Sequence, residues 1–231
     1  MLVYGKNVAR DLLNSGATIN KIILVDGFND ESIISLIENN KIPCEIKTKK
    51  QIDDLADGLH QGIILSIPDY QYHNIKEISD EEEVVLILDH IEDPHNFGAI
   101  IRTCEAAGIS TIIIPQDRQV PVNSTVMKTS AGTLNNVKIV MVSNIVNAIE
   151  ELKKNGFWVV GTTLEDSQDY REIDYSSKIA LVMGNEGKGI SNLVVKKCDF
   201  LAKIPMYGKT NSLNVSVATG IMIYEVIRNR K

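Results

Sequence analysis

From residue 84 to the C-terminus the chain repeats one pattern: a short apolar run, a polar turn, then a stretch with apolar residues at helical spacing. The runs lie at 84–88, 111–114, 138–141, 157–161, 179–183 and 200–204. Helical segments at 96–107, 122–129, 144–155, 190–197 and 212–228 separate most of them. The runs do not alternate apolar with polar, so each is read as a strand buried on both faces. Strands of that kind, alternating with helices, imply an α/β fold with a parallel sheet covered by helices.

The first 67 residues follow a looser plan. Strand-like runs occupy 21–25 and 62–67, with helical spacing at 7–13 and 31–37. Pro43 separates the second helix from a short strand at 44–46. Residues 68–83 carry no apolar period and end in the acidic run 80–83, read as a solvated segment. The expected organisation is therefore a small α/β domain at 1–67, a linker at 68–83 and a larger domain at 84–231.

A chain of 231 residues has room for one large domain or two small ones. No apolar run is long enough to span a bilayer. The N-terminus MLVYGKNVARDLL lacks the apolar core of a secretory signal, so a cytoplasmic location is expected. Cys44, Cys104 and Cys198 are scattered, which fits a reducing compartment and excludes paired CxxC zinc spacing. The four histidines do not cluster as metal ligands, and no metal is expected. The net charge of −6 does not by itself suggest a nucleic-acid partner. The tyrosines at 4, 70, 72, 170, 175, 207 and 224 form no RRM-like platform.

Open α/β sheets bind ligands at the carboxyl ends of their strands, and three such ends carry unusual residues. In LILDHIEDPHNFGAIIR a strand ends at Asp89. Asn96 is placed to cap a helix with the stripe Phe97, Ile100, Ile101 and Cys104, and Gly108 is placed to end it. The plainer reading of Arg102 is a surface ion pair with Glu105 at i+3. In ALVMGNEGKGIS three glycines, Gly184, Gly187 and Gly189, let backbone approach a ligand closely, but P-loop spacing is absent. An ordinary tight turn explains this loop about as well. In KIPMYGKTNSLNVSVATGIMIYEVIR, Ser212 and Ser216 are expected on one helix face beside Asn214, with Ser212 a candidate N-cap. The helix that follows has few polar positions and is expected to be buried against the sheet or another subunit.

Taken together and in order, DPHNFGAIIRTCEAAG, MGNEGKGIS and IPMYGKTNSLNVSVATGI resemble the three motifs of the SpoU-type 2′-O-ribose RNA methyltransferases of the SPOUT superfamily. The resemblance spans about 84–228, and TSAGTLNNVKI at 129–139 is similar to the family's SAG turn. More loosely, YGKNVARDLL and HQGI resemble the RNA-binding domain, similar to ribosomal-protein folds, of one subgroup, the bacterial 23S rRNA guanosine-2′-O-methyltransferases.

The resemblance implies a C-terminal trefoil knot, S-adenosylmethionine as methyl donor, an RNA substrate and a homodimer. It places Asn96, Arg102, Glu186, Ser212 and Asn214 at catalytic positions. It places Met183, Gly184, Ile204, Met206 and Leu213 at the cofactor, mainly through backbone groups. Recognition of RNA by a −6 chain would then rest on local lysines such as Lys6, Lys47, Lys49 and Lys50. The sulfonium already supplies the electrophile, so the protein has to align the ribose hydroxyl and assist loss of its proton. A guanidinium stays charged in proteins, so Arg102 is better suited to holding a phosphate and stabilising the developing oxyanion than to acting as a base. The alternatives are a tRNA ribose methyltransferase, a non-catalytic RNA-binding protein of the same fold, and a nucleotide-binding glycine loop.

Overall fold

The computed structural model describes residues 1–56, 59–185 and 187–230, which form two compact units. The first comprises Met1–Gln71 with Val122–Lys128; the second comprises Tyr72–Pro121 and Thr129–Lys231.

In the first unit, β1 (Leu2–Tyr4), α1 (Lys6–Asn14), β2 (Lys21–Val25), α2 (Glu31–Asn40), β3 (Cys44–Lys47), α3 (Lys49–Asp53) and β4 (Ile63–Ser66) form a mixed sheet of order β1-β4-β2-β3. Only β2 and β3 run parallel. Alternate residues of a strand face opposite sides of a sheet. Accordingly Val3, Ile22, Ile63 and Leu65 join one core with Ala9, Leu13, Ile33 and Ile37. Ile23 and Ile64 face a smaller core with Ile52 and Ala56. Met127, from α5 (Ser124–Thr129), packs on the larger core. The 122–129 helix, expected within the larger domain, thus lies mostly with the first unit. The sequence reading missed β1, which is only three residues long, and α3, whose KKQID carries little apolar signal.

The second unit contains β5 (Val84–Asp89), α4 (Pro94–Ala106), β6 (Thr111–Pro115), β7 (Lys138–Val142), α6 (Ile145–Lys154), β8 (Trp158–Thr162), β9 (Gln168–Asp169), β10 (Ile179–Gly184), α7 (Asn192–Val195), β11 (Phe200–Lys203) and α8 (Val215–Arg228). Its seven strands are parallel, in the order β7-β6-β5-β10-β8-β11-β9. Every residue of β5 and β10 is buried, as the unbroken apolar runs require. One face packs Val85, Ile87, Val159, Ala180 and Val182 against Ile145, Ile149 and Leu152 of α6. Elsewhere α4 packs on α8, and α8 on β10.

Two helix starts differ from the sequence expectation. Asp93, not Asn96, caps α4, accepting a hydrogen bond from His95 N at 2.8 Å; Pro94 holds the first helical position and Asn96 lies a turn inside. Helix α8 begins at Val215, with Asn214 as its cap, accepting from Ser216 N and Val217 N. Ser212 therefore precedes the helix and shares no helix face with Ser216. Gly108, at φ +78°, does follow the end of α4 in the left-handed conformation.

Residues 72–83 are fastened to the second unit. His73 N donates to Ile139 O at 2.9 Å and His73 O accepts from Met141 N at 3.3 Å. Lys138 Nζ reaches Glu82 Oε1 at 3.2 Å, and Lys178 Nζ donates to Asp80 O at 2.5 Å.

Candidate active site

Strands β6 and β7 extend the sheet to one side of β5, and the later strands extend it to the other. The order therefore turns at β5–β10, where Asp89 and Gly184 are register partners at the carboxyl ends. This is the position at which open α/β sheets take ligands.

Asp89 is 1% exposed, and both of its carboxylate oxygens are engaged. Oδ2 accepts from Ser191 N at 2.7 Å, and Oδ1 lies 2.5 Å from His90 Nδ1. The strand-end aspartate thus ties the loop after β10 to the loop after β5, across 102 residues of chain. Asn185 adds a second tie by donating to His90 O at 2.9 Å, while its own Oδ1 accepts from Gly187 N. Asn185 and Gly189 exchange backbone hydrogen bonds at 3.1 and 2.8 Å, closing the glycine loop on itself. A Cβ on Gly184 would overlap the backbone of Gly189 and Ile190. Glycine at 184 is thus required by the close return of the loop.

Asn96 is 7% exposed and joins the first motif to the third: Asn214 Nδ2 donates to its Oδ1 at 3.0 Å. Asn96 Nδ2 donates in turn to Asp93 Oδ2 at 3.3 Å. Asn214 Oδ1 accepts from Ser216 N at 2.9 Å and Ser216 Oγ at 2.6 Å. One asparagine is therefore both a helix cap and a bridge between segments 118 residues apart.

Arg102 projects into solvent from α4. The ion pair with Glu105 does not form; Glu105 accepts instead from Asn136 Nδ2 at 3.1 Å. Among the described residues Arg102 has no hydrogen-bond or ion-pair partner. Ser212 is exposed and is not brought to Asn96 by any hydrogen bond among the described residues. Glu186 lies outside the described residues.

Of the expected cofactor residues, Met183 and Gly184 are buried at the end of β10, and Ile204, Met206 and Leu213 are half-buried between β11 and α8. Outside the strand ladder, residues 204–213 make no backbone–backbone hydrogen bonds to other described residues. An adenine held by backbone groups fits such a segment. Of the four lysines, Lys6 pairs with Asp30 at 3.1 Å and lies 5.2 Å from the Phe28 ring centroid. Lys47 pairs with Glu45 at 2.6 Å. Lys49 and Lys50 are exposed at the start of α3. The sequence reading gave no role to Asp89, Asp93 or Asn185; a buried-strand aspartate and the Asp-Pro pair were the signals available for the first two.

A parallel sheet with a glycine loop closed on itself and an asparagine bridge at its strand-order turn marks the carboxyl ends of β5 and β10 as the candidate ligand site of an open α/β fold. Residues 83–224 match the SpoU rRNA Methylase family, and residues 2–73 match the RNA 2′-O ribose methyltransferase substrate binding domain. A protein of Staphylococcus saprophyticus named as a TrmH family tRNA/rRNA methyltransferase is 42% identical over all of this chain and 96% of its own length. An AdoMet-bound rRNA methyltransferase from Sinorhizobium meliloti is 30% identical, with a TM-score of 0.78 over 98% of this chain and 86% of that one. A TrmH/SpoU tRNA modifying enzyme from A. aeolicus is 37% identical, with a TM-score of 0.60 over 65% of this chain and 76% of that one. The chain belongs to the SpoU rRNA methylase family. It is an RNA 2′-O-ribose methyltransferase, and its methyl donor is S-adenosylmethionine.

Proposed function

We propose that this enzyme methylates the ribose 2′-hydroxyl of a guanosine in 23S rRNA. The Asn96–Asn214 hydrogen bond is the observation that carries the site assignment, because it joins two motifs at the strand-order turn. For the rRNA substrate, the support is that likeness to the S. meliloti rRNA methyltransferase extends over both units, whereas the tRNA modifying enzyme covers 65% of the chain.

In this reading Met183, Gly184, Ile204, Met206 and Leu213 hold S-adenosylmethionine, which supplies the methyl group from its sulfonium. The backbone of 204–213 binds the adenine. Asn96 and Asn214 orient the ribose, and the family resemblance assigns Ser212 and Glu186 to the same reaction. Arg102, free of protein partners among the described residues, binds the neighbouring phosphate and stabilises charge growing on the 2′-oxygen. The first unit selects the RNA, with Lys6, Lys47, Lys49 and Lys50 near its backbone. The trefoil knot and the homodimer belong to the same reading. Val217 and Tyr224 of α8 are 52% and 54% exposed, with half-buried Ile221 between them, which suits a subunit contact.

The test is incubation with methyl-labelled S-adenosylmethionine and unmodified transcripts of 23S rRNA and tRNA. Label in an alkali-resistant dinucleotide from the 23S transcript is expected. Label on a base, or in tRNA alone, overturns the substrate assignment. Arg102→Lys keeps the charge but loses the planar fork, so it should retain part of the activity with unchanged cofactor affinity. Full activity in Arg102→Ala would remove the role given to that side chain.

A further inference from the structure

Tyr207 is 88% exposed, more than any other large apolar or aromatic side chain among the described residues. Burial does not account for its ring, and neither does mobility of its tip, because the hydroxyl is held. Arg171 Nη2 donates to Tyr207 Oη at 3.4 Å. Arg171 is itself fixed by two hydrogen bonds to Asp169, Nε to Oδ1 at 2.8 Å and Nη2 to Oδ2 at 2.5 Å. Its guanidinium carbon lies 5.7 Å from the Tyr170 ring centroid. The hydrogen bond from Arg171 holds the Asp169 carboxyl down to about 2, so the pair stays ionised at neutral pH.

Asp169 pairs in register with Lys203, the last residue of β11. The following segment carries Ile204 and Met206, then Tyr207, and ends at Asn214 against Asn96. An exposed ring, tethered at one edge beside a fixed guanidinium, therefore stands on the same stretch of backbone as the groups assigned to cofactor and ribose. Unpaired bases stack on aromatic faces and on arginine planes.

We propose that Tyr207 and Arg171 form a stacking surface for an unpaired base of the RNA bound at the methyl-transfer site. The inference rests on the RNA methyltransferase reading and names the contact by which that site holds its substrate. The exposed Lys209 two residues on supplies a cation for the adjoining phosphate.

The test compares Tyr207→Ala, Tyr207→Phe and Tyr207→Trp in the full-length protein, using unmodified 23S rRNA transcript. Tyr207→Ala should raise KM for RNA on the order of 10- to 100-fold, with kcat changed far less and S-adenosylmethionine affinity unchanged by calorimetry. Tyr207→Phe keeps the ring and should stay within a few-fold of wild type. Tyr207→Trp should show fluorescence quenching on RNA addition beyond the Trp158 signal of the wild type. An unchanged KM in Tyr207→Ala, a loss of cofactor binding alongside RNA binding, a shift to monomer by sedimentation, or no added quenching would each overturn the proposal. Methyl transfer by wild type in the same assay judges the parent reading separately, and the quenching measurement decides on stacking whether or not transfer occurs.

Discussion

The polar groups of the two units are used in opposite ways. In the second unit Asp89, Asn96 and Asn185 are buried or half-buried, and each makes one hydrogen bond to a chain segment distant in sequence. In the first unit Lys6, Lys21 and Lys47 lie at the surface, paired with Asp30 or Glu45. Buried hydrogen bonds of the first kind fix geometry, because an unmade partner is costly to leave behind. Surface pairs of the second kind contribute little to stability and exchange readily with phosphate. Under the proposed function, a methyl-transfer centre needs the former, and a surface that meets a large RNA can work with the latter.

The largest effect should come from Gly184→Ala. Its methyl group has no space against the returning backbone of Gly189 and Ile190, so the loop must open. A destabilisation of about 3 kcal/mol, with loss of cofactor binding, is expected by thermal unfolding and calorimetry. A wild-type-like variant would show that the loop is not tightly set.

Next come Asn96→Ala and Asn214→Ala. Each leaves a partner unsatisfied, at about 1–3 kcal/mol. The double variant should cost less than the sum, with a coupling of roughly 0.5–3 kcal/mol. Strict additivity would mean that the bridge does not act as a unit.

Charge reversal of Lys49 and Lys50 should leave cofactor affinity and stability alone. It should weaken RNA binding and lower the salt slope by about 1 per lysine. An unchanged slope would move the RNA contact elsewhere on the first unit.

The smallest effect is acidic. The hydrogen bond from Lys21, then that from Lys47, holds the Glu45 carboxyl down to about 2, against an ordinary value of 4.5. A depressed carboxylate adds stability above its unfolded value and loses it as pH falls through the folded one. The contribution from Glu45 should therefore be intact above about pH 5 and fade between 4.5 and 2. Glu45→Gln should flatten that part of the acid-unfolding curve only slightly, since the group is exposed.

The sheet of the second unit was legible because strands buried on both faces leave unbroken apolar runs, as VVLIL and IALVM do. What stayed hidden was short or long-range. Strand β9 is two residues with no apolar signal, and its place is set by pairing with β11. Helix starts were misread where several capping residues stood close together: Asp93 and Asn96 at the start of α4, Ser212 and Asn214 before α8. Choosing between them needs the packing that places Asn96 and Asn214 against each other. The motif residues were visible by resemblance, but the role of Asp89 depends on a backbone N–H that arrives 102 residues later. Similarly, nothing local in STVMKT announces that Met127 packs on the first unit's core.

The attachment of His73 to β7 bears on solubility. Strand β7 ends the sheet on one side, and its free edge would present unpaired backbone groups as a template for another chain. The extended backbone at His73 bonds to Ile139 and Met141 and covers part of that edge. A segment that reads as a polar connector thus also serves as an edge guard. Substitutions that loosen it, such as His73→Pro, which removes the donor to Ile139, would be felt first as clumping on gentle warming, before any loss of the folded core.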